Sequence, residues 1–94
     1  MNTAAGTGIT PEALRQRLLE RLAPSHVEVL DESAAHLGHA GQDGTGVGTH
    51  FRVRIASPLF AGRPKVACHR LVYDALRDYI ERERGVHALA IETL

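Results

Sequence analysis

The side chains able to bind a metal or act as nucleophiles are few: one cysteine, Cys68, and six histidines, His26, His36, His39, His50, His69 and His87. Cys68 directly precedes His69 in the stretch KVACHRLVYDAL. That adjacency admits three chemistries: a Cys–His nucleophile and base, two ligands of a metal, or two residues packing a core. A single thiol cannot build an all-thiolate zinc or iron–sulfur centre from this chain alone. None of the histidine spacings matches a zinc finger or an HExxH helix, so a self-contained zinc site is not encoded. His36 and His39 fall in the glycine-rich stretch HLGHAGQDGTGVGTH, whereas His50 and His87 belong to strand-like segments.

Whether Cys68 and His69 can act together depends on the element that carries them. At roughly 100° per residue, Leu71, Val72, Ala75, Leu76, Tyr79 and Ile80 form one apolar helical stripe, with Cys68 near its middle and His69 toward its edge. Adjacent helical side chains diverge, which makes the pair a poor nucleophile–base couple. Cys68 then reads as a small buried hydrophobe. His69 is left on the rim, open to hydrogen bonding, solvent or a ligand role. The helix is predicted from Pro64 to about Arg84, closed by Gly85, and a short helical turn from Ser57-Pro58 to Gly62 precedes it.

Residues 1–9 are predicted to form a disordered extension and residues 10–94 the folded domain. Thr10 is suited to cap a first helix with Pro11 at its first position, and Ile9 and Leu14 hold the positions of a hydrophobic staple. Leu14, Leu18 and Leu22 recur every four residues, predicting a helix over 11–22 that Pro24 stops. The stretch HVEVLDES is predicted as a half-buried strand and HFRVRIAS as a second. In the second, Phe51, Val53 and Ile55 face the core while Arg52 and Arg54 face a basic, solvated side. The two should form an antiparallel hairpin, although their connection far exceeds the roughly 2 to 5 residues of an ordinary hairpin loop. VHALAIETL, alternating His87, Leu89 and Ile91 against Ala88, Ala90 and Glu92, supplies a third strand parallel to a neighbour. The order αββααβ implies a single α+β domain, a three-stranded mixed sheet with helices packed on one face.

Composition narrows the function. The chain has 94 residues, 44% of them apolar, and a formal charge of zero. Residues 44–73 nevertheless hold five of the 11 basic side chains and none of the 11 acidic ones. This dipolar distribution could steer an acidic partner or be a solvated face. A neutral balance with two Tyr, two Phe and no Trp argues against a dedicated nucleic-acid domain. No signal-peptide or membrane-spanning pattern occurs, and one cysteine forms no internal disulfide, so a soluble cytoplasmic protein is expected. No nucleophile, base and orienting group stand at helpful spacing, so no enzyme is expected.

Taken together, VEVLDES followed by His36, THFRVRIAS, FAGRPKVACHRLVYDAL and GVHALAIETL resemble the BolA family, in family order, over about residues 12–94. The resemblance implies an αββααβ fold similar to a class II KH domain. It also implies a partner, a monothiol glutaredoxin, in a heterodimer that shares a glutathione-supported 2Fe-2S cluster used in iron–sulfur trafficking or iron sensing. Alone, the chain would carry no cofactor. By the same resemblance His69 matches the helix histidine ligand and His36 the loop ligand of the histidine-type members. The loop is longer than usual and contains His39, a second choice for that role.

One buried cysteine fits such sharing, because the missing ligands must come from elsewhere. Arg63, Lys65 and Arg70 could attract an acidic partner surface or the carboxylates of glutathione. A homodimer of the free chain is compatible with the family, and a membrane partner is not expected. The alternative function is a nucleic-acid-binding transcriptional regulator on the KH-like fold. Against it, FAGRPK lacks the GxxG clamp of an RNA-binding KH domain.

Overall fold

The computed structural model describes residues 7–36 and 48–94, with residues 35 and 36 described by backbone only. The order is α1 (Pro11–Leu22), β1 (His26–Asp31), a 3-10 turn (Ser33–His36), β2 (His50–Ala56), a second 3-10 turn (Pro58–Phe60), α2 (Lys65–Ala75), α3 (Arg77–Glu81) and β3 (Ala88–Thr93). Thr10 caps α1 as its sequence implies: its extended backbone lets Oγ1 accept the Ala13 N–H at 3.1 Å, with Pro11 beginning the helix. Leu14, Leu18 and Leu22 of α1 are all buried. Ile9 joins them in the core, and Thr7 donates its hydroxyl to the Gly48 carbonyl.

The sheet has three strands in the order β1-β2-β3, β1 antiparallel and β3 parallel to the central β2. On its inner face Val29, Val53 and Ile91 stand in register, as do Val27, Ile55 and Thr93. Phe51, Val53 and Ile55 are buried beneath Leu14 and Leu18 of α1 and Val72, Ala75 and Leu76 from the second helical segment. Helices cover only this side.

The outer face differs from the basic, solvated surface that the sequence suggests. Arg52 pairs with Glu32 (2.9 Å) and Glu92 (2.7 Å), and Arg54 pairs with Glu92 (3.1 Å) and Glu28 (3.6 Å). The acidic partners arrive from both flanking strands, which neutralises the stripe. Such half-exposed pairs contribute about 0–1 kcal/mol each, so they serve register and charge balance more than stability.

The long helix also departs from its predicted extent. It breaks at Leu76 (φ −106°, ψ 11°), and α3 ends at Glu81. A non-local contact spans the break: Arg17 of α1 reaches across to Asp78 (2.5 and 3.2 Å) and lies 3.4 Å from the Ala75 carbonyl oxygen. The Arg17 guanidinium lies over the Tyr79 ring, 4.8 Å from its centroid, and that of Arg82 lies 4.7 Å from the same centroid. Beyond α3 the Val86 N–H bonds to the Tyr79 carbonyl at 3.0 Å. Gly85 permits this approach, since a Cβ there would lie 2.3 Å from the Tyr79 oxygen.

The hydrogen bond from Arg17 holds the Asp78 carboxyl below its ordinary range. A depressed carboxylate stabilises the fold above its unfolded pKa, and that contribution disappears as pH falls through the folded value. Thermal unfolding of Asp78→Asn should therefore show a lower midpoint than the parent near neutrality. The difference should shrink to nothing in acid, and a pH-independent difference would contradict the coupling.

Candidate functional site

The acidic end of β1 meets the start of β2. Asp31 Oδ1 accepts hydrogen bonds from the Ser33 N–H (2.9 Å) and hydroxyl (2.6 Å), while Oδ2 accepts the Gly48 N–H (2.9 Å). The hydroxyl oxygen of Ser33, which has no exposed surface, accepts the N–H groups of both Thr49 and His50 at 2.9 Å. These bonds join the two ends of the segment 37–47. Thr7 straps the junction by donating its hydroxyl to the Gly48 carbonyl at 2.8 Å. Gly48 adopts φ +78°, and a Cβ there would meet Thr7 Oγ1 at 2.2 Å, so glycine is needed both for conformation and for space.

Thr49 and His50 also hold the other side of the site. The Thr49 carbonyl accepts the His87 N–H (2.8 Å) and the Ala88 N–H (3.1 Å). Thr49 Oγ1 lies 2.9 Å from Nδ1 of the buried His50 ring. That ring faces the exposed His87 ring, with centroids 5.6 Å apart and planes tilted by 45°. The turn ending in His36 is thus fastened to Thr49–His50 from the β1 side and His87 from the β3 side. The side chain of His36 and all of His39 lie outside the described residues.

His69 is not brought to this cluster. It follows Cys68, whose Sγ lies 3.8 Å from the carbonyl oxygens of Phe60 and Arg63, in the segment leaving the C-terminal end of β2. The His36 turn adjoins the opposite, N-terminal end. Moreover, His69 Nε2 is enclosed without a hydrogen-bond partner among the described residues. His69 as a residue is half-buried, whereas the exposed His87 ring lies at the sheet end where the His36 turn is anchored. Cys68 is 4% exposed, in keeping with its place on the apolar stripe. Arg63, Lys65 and Arg70 are exposed around the start of α2, without an ion-pair partner among the described residues. They stand beside the exposed Leu59 and Val66, at the far end from His87.

Sequence alternation missed His87 because it assigned that residue to the inward face with Leu89 and Ile91. In the structure β3 begins at Ala88, and His87 lies just outside the strand, where its side chain reaches solvent. The available signal was its position two residues after Gly85.

The BolA family, described as BolA-like protein, matches residues 18–94. An uncharacterized protein in the cobS 5'region of Sinorhizobium sp is 46% identical over 82 residues, covering 86% of this chain and 85% of that protein. SufE-like protein 1, chloroplastic/mitochondrial, of Arabidopsis thaliana is 44% identical over 81 residues, 83% of this chain but only 21% of that protein. Among solved structures, the BolA domain of SufE1 from Arabidopsis thaliana superposes with a TM-score of 0.75 at 38% identity, covering 88% of this chain and 87% of that one.

Replacing Ser33 with Ala removes one acceptor shared by two buried N–H groups. The expected cost is about 1–3 kcal/mol, read as a lower urea midpoint with an unchanged slope. An unchanged midpoint would show that the junction does not depend on this hydroxyl.

Proposed function

The chain belongs to the BolA family, and on that footing we propose that it is a non-enzymatic partner of a monothiol glutaredoxin, sharing with it a glutathione-supported 2Fe-2S cluster in iron–sulfur trafficking or iron sensing. The observation carrying this reading is the common attachment of the His36 turn and the exposed His87 to Thr49–His50. This supports two imidazoles from one sheet end as this chain's contribution.

The donor set fits a shared cluster rather than a private one. The chain has a single thiol, Cys68, and it is buried. A 2Fe-2S cluster takes four ligands, so a partner and its glutathione must supply the remainder. When bound, a cluster with imidazole in place of thiolate carries less negative charge and has a higher reduction potential. The chain's own part is to present His87 to solvent from a fixed backbone and to keep Cys68 away from exchange with incoming thiols. Arg63, Lys65 and Arg70 then offer a separate contact for an acidic partner surface.

The nucleic-acid reading is weakened by the carboxylates that neutralise Arg52 and Arg54. Among the described residues no helix is long and apolar enough to cross a membrane.

The test is visible absorption and circular dichroism after mixing the protein with cluster-loaded monothiol glutaredoxin. A spectrum distinct from that of the loaded glutaredoxin alone is expected, lost in His36→Ala and in His87→Ala and retained in His69→Ala. No spectral change with the parent protein would reject cluster sharing. Loss in His69→Ala alone would return the ligand role to α2.

A further inference from the structure

We infer that His50 is a positioning residue that fixes the His87 ring, an assignment that rests on the cluster-sharing reading above. An exposed histidine at a strand entrance would ordinarily sample several side-chain rotamers. Here the backbone of His87 is tied to the Thr49 carbonyl, and its ring meets the ring of the next residue, His50, at 5.6 Å. His50 is itself restrained: its residue is 7% exposed, its N–H bonds to Ser33 Oγ, and its Nδ1 lies 2.9 Å from Thr49 Oγ1.

The arrangement has a specific consequence. Ser33 Oγ receives the N–H groups of Thr49 and His50 at the head of the turn that ends in His36, while Thr49 and His50 together hold the backbone and ring of His87. Thr49–His50 is therefore the rigid piece between the two ligand-bearing elements. A buried imidazole with its Nδ1 anchored suits this task because it is flat, is held against rotation and packs on a second imidazole. Immobilising a side chain before binding removes an ordering cost otherwise met on association, an effect of roughly two- to tenfold in affinity.

The test begins with the free protein, so that it does not depend on cluster binding. Three-bond couplings of His87 should report a single χ1 rotamer in the parent and averaged rotamers in His50→Ala, with the amide spectrum of the sheet unchanged. His50→Phe, which keeps a flat ring, should restore the single rotamer. In the loaded complex with glutaredoxin, His50→Ala should weaken association roughly two- to tenfold, and His50→Phe should recover it. Should His50→Ala fail to fold, Thr49→Val removes the hydroxyl near Nδ1 but keeps the backbone bonds, and it should loosen His87 in the same sense.

An equally ordered His87 in His50→Ala, or in Thr49→Val where that variant is the one measured, overturns the assignment. So does a His50→Phe protein that loses the cluster spectrum as fully as His87→Ala, because His50 would then be a ligand itself. If the parent protein forms no cluster complex, cluster sharing fails, and the rotamer measurement alone decides whether His50 positions His87.

Discussion

The site depends on one buried hydroxyl and one carboxylate. Asp31 and Ser33 accept or exchange hydrogen bonds with Gly48, Thr49 and His50, closing the chain on itself before β2 begins. Closing a long connection carries an entropic cost that grows slowly with length, so a fixed base allows an extended loop without loosening the sheet. It also decides what the loop can present. Because the junction lies at the end of β2 where parallel β3 enters, the residue before β3, His87, is delivered to the same place.

The two faces of the sheet divide the remaining work. The inner face buries Phe51, Val53 and Ile55 against the helices and provides most of the hydrophobic stabilisation. The outer face carries charges that cancel across strands, with Glu92 of β3 contacting both Arg52 and Arg54. A local excess of basic residues in the sequence therefore does not become a basic surface along β2. What remains is the group around the start of α2, Arg63, Lys65 and Arg70, with the apolar Leu59 and Val66 beside it.

Features governed by local chemistry were legible in the sequence. Thr10-Pro11 announced the start of α1, the alternation of Phe51, Val53 and Ile55 announced the core strand, and helical phase buried Cys68. Features made by distant contacts were not. One partner of Arg54 lies 38 residues away at Glu92, and the break at Leu76 coincides with Arg17 reaching Asp78, 61 residues on. The site was half legible for the same reason. His36 stands out in a glycine-rich stretch, but only the pairing of β2 with β3 brings His87 beside His50, and only packing shows that His69 Nε2 is enclosed.

On the proposed reading, Cys68 and His69 serve α2, and the cluster ligands come from where three distant segments meet. Pulsed electron paramagnetic resonance of the reduced heterodimer, with only this chain labelled with ¹⁵N at histidine, tests that claim most directly. A ¹⁵N coupling to the cluster from His87, absent in His87→Ala and unaltered in His69→Ala, is the expected result. A coupling that survives in His87→Ala and vanishes in His69→Ala would contradict it.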